Sequence, residues 1–91
     1  MLIGREYLIR GEVQGVGFRF FISKCATNVG VNGSVRNLPD GRVQVIAEGE
    51  LALISHFEKV IFKGPPKARV ENVEVFEMQT ITNRRGFSIS D

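Results

Sequence analysis

An α+β domain, with two helices packed on one face of an antiparallel sheet, is predicted by three features of this 91-residue sequence. Two segments carry apolar residues at the i, i+3, i+4 spacing of an amphipathic helix. Other segments alternate apolar and polar residues, as strands with one buried face do. Glycine and proline clusters stand between these segments and indicate turns. A chain of this length has room for a single core, so residues 1–91 are predicted to form one domain.

The first strand and the first helix are predicted in the opening third of the chain. Residues 5–13 alternate apolar and polar positions, which indicates a strand buried on at least one side. A helix begins at Phe18, and Gly30 supplies its C-terminal cap. The apolar stripe of this helix consists of Phe18, Phe21, Ile22, Cys25, Ala26 and Val29.

A hairpin is predicted after the first helix. Residues 31–36 alternate apolar or small residues with polar ones, as a strand does. The Pro-Asp-Gly sequence of residues 39–41 is a strong turn signal. Residues 42–48 alternate again and form the return strand, which closes at Gly49. These two strands are therefore expected to be antiparallel neighbours.

A second helix and two further strands complete the prediction. The helix runs over about residues 50–62 and is stopped by a Gly-Pro-Pro sequence. Residues 68–78 are predicted to form a strand with Val73 and Val75 directed inward, and residues 86–89 a short final strand. The buried side of the second helix is predicted to be Leu53, Ile54, Phe57, Val60 and Ile61.

The resulting order is βαββαβ with a possible short final strand, which is the pattern of a split-βαβ, ferredoxin-like sandwich. In that topology the first and second strands run in the same direction, with the third between them. The loop after strand one and the end of strand two then emerge at the same edge. Residues 14–19 are expected near Asn37, because two strand spacings of about 4.8 Å put their backbones roughly 10 Å apart.

Composition narrows the class of protein. The net charge is +2 and basic and acidic residues are interleaved, so a nucleic-acid partner is not implied. The apolar start at residues 1–3 is too short for a signal-peptide core or a membrane span. Cys25 is the only cysteine, which rules out an internal disulfide and a cysteine zinc cluster. We expect a soluble cytoplasmic protein, with a monomer as the default.

The segment between strand one and helix one is a candidate anion site. Gly15 and Gly17 allow positive φ angles there, so that successive N–H groups can converge on an anion at the positive end of the helix. Arg19 follows in the first turn, where its fork of donors suits two phosphoryl oxygens. The Gly-Lys-Ser/Thr ending of a nucleotide-binding loop is missing. Ordinary loops also contain such residues, so spacing alone leaves both interpretations open.

The sequence resembles the acylphosphatase family at two signature segments. One is Gly11-Glu12-Val13-Gln14-Gly15-Val16-Gly17-Phe18-Arg19, and the other is Gly33-Ser34-Val35-Arg36-Asn37-Leu38-Pro39-Asp40-Gly41. Val43, Val45 and residues 47–49 and 64–70 are also similar, so the resemblance spans nearly the whole chain. It departs at Ser34, where members commonly carry a bulky aromatic residue, and this concerns local packing or the shape of the substrate mouth.

The resemblance implies an enzyme that hydrolyses the carboxyl–phosphate bond of acyl phosphates to a carboxylate and inorganic phosphate, with no metal or organic cofactor. It implies Arg19 as the phosphate-binding catalytic arginine and Asn37 as the residue that orients the attacking water. The implied phosphate-binding residues, largely through their backbone amides, are Gln14, Gly15, Val16, Gly17, Phe18 and Arg19. No covalent intermediate is expected, because neither signature segment offers a cysteine or histidine nucleophile.

Two other functions fit the same element order. RNA-recognition modules share it, but they carry aromatic residues on the first and third strands, and the predicted third strand has none. A non-catalytic acylphosphatase-like module that binds a phosphorylated ligand or regulates a partner is the second alternative. Turnover of an acyl phosphate separates this module from an enzyme.

Several other residues are expected to have structural or solvated roles. His56 is expected on the polar side of the second helix, and Cys25 is expected to pack in the core. For Phe20, packing at the edge of the core is favoured over a place at the mouth of the site. Glu48 and Glu50 are expected to be solvated, because paired carboxylates beside a bound phosphate would repel it.

Overall fold

The computed structural model describes residues 1–79 and 85–90. The elements that these residues form follow the predicted βαββαβ order, and the predicted short final strand is present. They are β1 (Leu2–Glu12), α1 (Phe18–Val29), β2 (Asn32–Asn37), β3 (Val43–Glu50), α2 (Leu51–Lys63), β4 (Arg69–Met78) and β5 (Phe87–Ser90). Among the described residues, no helix has the length and apolar character needed to cross a bilayer.

The strands form one sheet in the order β4-β1-β3-β2-β5. β3 pairs antiparallel with both β1 and β2, so β1 and β2 run in the same direction, as predicted. β5 lies at the far edge and pairs parallel with β2, beginning at Gly33 opposite Phe87. The sheet is therefore mixed, and the prediction of an antiparallel sheet is wrong for this strand. Alternation within a four-residue strand carries no information about so distant a partner.

Both helices pack on one face of the sheet, as predicted. Side chains on alternate positions of a strand share a face, and the buried apolar side chains of β1, β2 and β3 follow this alternation. They meet the buried stripes of α1 and α2 in one cluster. The buried apolar residues are Tyr7, Ile9, Val13, Phe18, Ile22, Ala26, Val31, Val35, Val43, Val45, Ala47, Ile54, Phe57 and Ile61.

Burial differs from the sequence prediction on α2, β3 and β4. Leu53 is 37% exposed, because the buried side of α2 is narrower and centres on Ile54 and Phe57. Val75 is 39% exposed, since β4 is an edge strand of the sheet. Glu48, expected in solvent, is only 4% exposed, because β3 is the central strand and has neighbours on both sides.

Glycines set both ends of α1. Gly17 precedes the helix with a φ of 77° and a ψ of 16°, and Gly30 follows it with a φ of 96°. The N–H of Gly30 donates to the carbonyl oxygen of Ala26 at 2.9 Å, which is the cap that the sequence predicts. The helix therefore starts directly at the loop that leaves β1.

Candidate active site

The loop between β1 and α1 leaves the core at Val13, which is 1% exposed, and reaches the helix at Phe18, which is also 1% exposed. Within it, Gly15 has a φ of 75° and Gly17 a φ of 77°. A Cβ added at either glycine would meet no atom within 4 Å. Glycine is thus favoured here because other residues rarely adopt this positive φ, and not because a side chain would clash. Its conformation turns the peptide groups of the loop, as an anion-binding nest requires.

The first turn of α1 is electrostatically suited to an anion. The geometry of an α-helix leaves its first N–H groups without acceptors inside the helix. No side chain of the described residues caps this helix end, and its first turn carries no acidic residue. The positive end of the helix dipole therefore acts without a neutralising carboxylate, which favours a bound anion by about 0.3–1 kcal/mol at an exposed site.

Asn37 reaches the same region from β2. It is the last residue of that strand and shares a face with Val35, which is buried beneath the helices. Its Oδ1 is buried and has no hydrogen-bond partner among residues 1–79 and 85–90. A buried carbonyl oxygen without a donor is costly, so this atom is suited to accept a hydrogen bond from a small ligand. Ser34 faces the opposite side of the sheet, away from this region.

A cavity of about 200 Å³ joins these elements. It is lined by Val13, Gly15, Gly17, Phe18, Arg19, Phe20, Asn37 and Ile89. The predicted meeting of the glycine loop with the end of β2 is therefore confirmed. Larger hollows of about 590 and 680 Å³ lie elsewhere on the described surface. The first is lined by Arg5, but its lining also contains the acidic Glu77, and Arg5 is paired with Glu58. The second has no arginine in its lining.

Arg19 is the charged residue of the cavity lining, and its guanidinium contacts the backbone of β5. Its Nη1 donates a hydrogen bond to the carbonyl oxygen of Ser90 at 3.2 Å. Ser90 is the last residue of β5, the strand that pairs parallel with β2. The short final strand thus helps to place the guanidinium, a role that the sequence pattern did not indicate.

Gln14 and Val16 are outside the cavity lining. The Nε2 of Gln14 donates to the carbonyl oxygens of Leu38 and Arg42, each at 2.9 Å. Val16 is half-buried and packs against the hydrophobic core. The predicted role of these two residues in phosphate binding stays a prediction. Their absence from the cavity lining does not support it.

Two apolar residues at the cavity were not predicted as site residues. Phe20 is 67% exposed and Ile89 is 45% exposed, and both line the cavity. The expectation that Phe20 packs at the edge of the core is wrong. Its position off the apolar stripe of α1 was the available signal. Ile89 had no local signal, because its place depends on the pairing of β5 with β2.

The histidine and the cysteine of the chain are not part of the cavity lining. His56 is exposed on α2, as predicted. Cys25 is partly buried against the core, and burial raises the pKa of its thiol. Nowhere in the described part of the chain do three or more His, Cys, Asp or Glu residues group as metal ligands do.

In the described sheet, the strands β1 and β3 lack the exposed aromatic platform of an RNA-recognition module. Tyr7 is the aromatic residue of β1, and it is fully buried on the helix-covered face. β3 has no aromatic residue. The central strands therefore offer no ring on which a base could stack.

The chain shares its sequence and its fold with known proteins. The profile of the acylphosphatase family matches residues 5–89. An acylphosphatase from Archaeoglobus fulgidus is 42% identical over 89 residues, covering 98% of this chain and 99% of the relative. One from Koribacter versatilis is 45% identical over 85 residues, covering 93% and 77%. The crystal structure of acylphosphatase from Bacillus subtilis aligns over 100% of both chains with a TM-score of 0.93 and 34% identity. The chain belongs to the acylphosphatase family.

Proposed function

We propose that the protein hydrolyses the carboxyl–phosphate bond of acyl phosphates, releasing a carboxylate and inorganic phosphate. The observation that carries this proposal is the single cavity in which Gly15, Gly17, Arg19 and Asn37 converge. Membership of a family whose relatives are named acylphosphatase supports the same reaction. Residues 1–91 act in it as one catalytic domain.

The phosphoryl group is held at the start of α1. Backbone N–H groups between Gly15 and Arg19 point to its oxygens, and the guanidinium of Arg19 adds charge-assisted hydrogen bonds. Each such bond contributes about 1.5–3 kcal/mol. Phosphoryl transfer depends mainly on positioning and on stabilising charge in the transition state, and these groups supply both.

Water attacks from the side of β2. The buried Oδ1 of Asn37 accepts a hydrogen bond from the water and directs its lone pair at phosphorus. The leaving group is a carboxylate, which is a weak base, so no general acid is needed to protonate it. The cavity lining contains no cysteine or histidine, so the water attacks directly and no phosphoenzyme forms.

The acyl half of the substrate lies against an apolar rim of the cavity, which Phe20 and Ile89 form. Phe20 and Ile89 are exposed where they line the cavity, and neither carries a charge or a hydrogen-bonding group. An aromatic or aliphatic acyl group removes part of this surface from water, which favours binding by about 25 cal/mol per Å². A two-carbon acyl group covers less of the rim and binds more weakly.

We also propose that the enzyme works as a monomer in the cytoplasm. The edge strand β4 carries Glu71, Glu74 and Glu77, and such charges oppose pairing with the edge of a second copy. The single cysteine suits a reducing compartment, in which disulfides are rare. Sedimentation equilibrium at micromolar concentration is expected to give the monomer mass, and a dimer mass would contradict this part of the proposal.

Loss of benzoyl phosphate absorbance in the presence of EDTA tests the proposed function. The purified protein is expected to hydrolyse the substrate without added metal, and inorganic phosphate is expected to compete with it. A non-catalytic phosphate-binding module would bind phosphate but leave the substrate at its spontaneous rate of decay. That result, obtained with folded protein, would contradict the proposed function.

A further inference from the structure

We propose that Gln14 is a positioning residue, which fixes the phosphate-holding loop against the hairpin that carries Asn37; this inference rests on the proposed function. Gln14 directs its side-chain amide away from the cavity. Its Nε2 donates to the carbonyl oxygens of Leu38 and Arg42 at 2.9 Å each. A primary amide has two N–H donors, and both are used in this bridge.

The two hydrogen bonds of Gln14 join the loop after β1 to the hairpin, beyond the point where the pairing between β1 and β3 ends. The ladder between β1 and β3 stops at the pair Ile9 and Val43. From Arg10 onward, β1 keeps its pairing with β4 on the other side but has no partner in β3. The end of β1 and the hairpin are therefore no longer joined by strand pairing where the phosphate-holding loop begins. Gln14 spans this gap and sets the distance between the two halves of the site.

The far end of the bridge is a stiff turn. Leu38 N donates to the Arg42 carbonyl at 2.8 Å, and Gly41 N donates to the Leu38 carbonyl at 3.1 Å. The Asp40 carboxylate accepts from the backbone N–H of Arg42 at 3.0 Å and from its Nε at 2.7 Å. A carbonyl oxygen has two lone pairs, so each acceptor serves the turn and Gln14 together.

Asn37 immediately precedes this turn, so its carboxamide moves with it. A shift of the loop relative to the turn moves the water-orienting Oδ1 relative to the phosphoryl group. The N–H groups and Arg19 that hold phosphate belong to the loop and to α1, and they move together. Loss of the bridge is therefore expected to reduce turnover much more than phosphate affinity. Misplacement by about 1 Å can cost on the order of 100-fold in rate.

The test compares Gln14→Met, which has a similar shape without donors, with Asn37→Ala and with the double variant. For each protein, kcat for benzoyl phosphate and the inhibition constant of inorganic phosphate are measured. Gln14→Met is expected to lower kcat by at least about 10-fold and to change the inhibition constant by less than about threefold. The double variant is expected to turn over no more slowly than Asn37→Ala, because Gln14 acts through Asn37.

Gln79→Met is the matched control. Gln79 is exposed and lies beside Gly4, near the opposite end of β1 from the loop, so this variant should retain the parent kcat. If Gln14→Met does not fold, Gln14→Ala gives the same readout, because it removes the donor without adding a charge beside the phosphate-holding loop. Failure of both variants to fold would show a purely structural role and overturn the inference.

Three other results would overturn it. Gln14→Met could turn over like the parent, or the inhibition constant could rise as much as kcat falls, which would mean direct contact with phosphate. The losses in the double variant could also multiply, which would mean independent roles for the two residues. Absence of turnover in the parent protein is a separate outcome, because it contradicts the proposed function itself.

Discussion

The guanidinium of Arg19 donates from Nη1 to the carbonyl oxygen of Ser90 at 3.2 Å, although the two residues are 71 positions apart in the sequence. Arg19 lies in the first turn of α1, and Ser90 ends β5, the strand at the edge of the sheet beside β2. The contact fixes the direction from which the guanidinium approaches the cavity. A side chain that keeps the charge without the planar fork cannot reproduce both this contact and a bidentate grip on phosphate.

Arg19→Lys is therefore expected to lower kcat/KM by about 10- to 100-fold, the value of one lost charge-assisted hydrogen bond. The inhibition constant of phosphate should rise in parallel. Arg36→Lys is the control, because Arg36 is an exposed arginine of β2. Its Nε donates to Gln44 Oε1 at 2.7 Å. Equal kinetics for the parent and Arg19→Lys would exclude a bidentate role for Arg19.

Gly17→Ala is expected to separate backbone strain from loss of the anion site. Gly17 and Gly86 have φ angles of 77° and 73°, and at both positions an added methyl group would meet no atom within 4 Å. Both alanine variants should lose about 1–2 kcal/mol of unfolding free energy, the cost of this conformation for an L-residue. Only Gly17→Ala should also lose at least about tenfold in kcat/KM, because Gly17 belongs to the loop whose N–H groups bind the phosphate. Chemical denaturation and steady-state kinetics give the two quantities, and equal activity of the two variants would argue against phosphate binding by this loop.

Phe20→Ala is expected to change substrate preference and leave stability nearly unchanged. Phe20 is 67% exposed, so its removal should alter the unfolding free energy by less than about 0.5 kcal/mol. The ratio of kcat/KM for benzoyl phosphate to that for acetyl phosphate should fall about fivefold, equivalent to roughly 1 kcal/mol of lost apolar contact. Phe62→Ala, at a 51% exposed position on α2, should keep the parent ratio. An unchanged ratio in Phe20→Ala would contradict the proposal that the apolar rim binds the acyl group.

Tyr7→Phe is expected to reduce stability at neutral pH without loss of activity. The buried Tyr7 hydroxyl donates to Glu58 Oε1 at 3.0 Å, and Arg5 Nη1 donates to the same oxygen at 3.0 Å. Loss of a hydrogen bond to a charged acceptor costs about 1.5–3 kcal/mol. Urea denaturation measures the difference, and a variant as stable as its parent would contradict this contribution.

The same residue predicts how stability changes at alkaline pH. Burial, followed by the bond to Glu58, raises the pKa of Tyr7 above its ordinary value of 10.0. The folded state therefore retains the phenol proton more strongly than the unfolded state. This contribution is fully present below about pH 10 and declines as the pH rises above it toward the folded-state pKa. Tyr7→Phe should lose stability less steeply over that range, and parallel curves for the two proteins would contradict the assignment.

The sequence predicted the two halves of the site because topology rules connect them. Once β1 and β2 are parallel with β3 between them, the glycine loop and Asn37 must emerge at one edge of the sheet. Periodicity placed both helices and the first four strands, since a buried face repeats along each element, and the short fifth strand was also predicted, though not its pairing. These features depend on local pattern and on a small set of allowed connections.

The features that sequence analysis missed depend on pairing between distant residues. The parallel pairing of β5 with β2 brings Ser90 to Arg19 and Ile89 to the cavity, and no local pattern specifies it. Burial of Glu48 depends on β3 being central, and a glutamate on an alternating strand reads as solvated. The contacts of Gln14 require the three-dimensional positions of two carbonyl oxygens, which carry no side-chain signal.

The most direct test of the site is the effect of Asn37→Ala on turnover and on phosphate affinity, measured in the same preparation. We expect kcat for benzoyl phosphate to fall by at least about 100-fold, because the attacking water loses the acceptor that directs it. The inhibition constant of inorganic phosphate should stay within about threefold of the parent value, since Arg19 and the N–H groups of the loop remain. Asn72→Ala, at an exposed position of β4, should leave both quantities unchanged. Turnover by Asn37→Ala at the parent rate would contradict the central claim that this carboxamide orients the water.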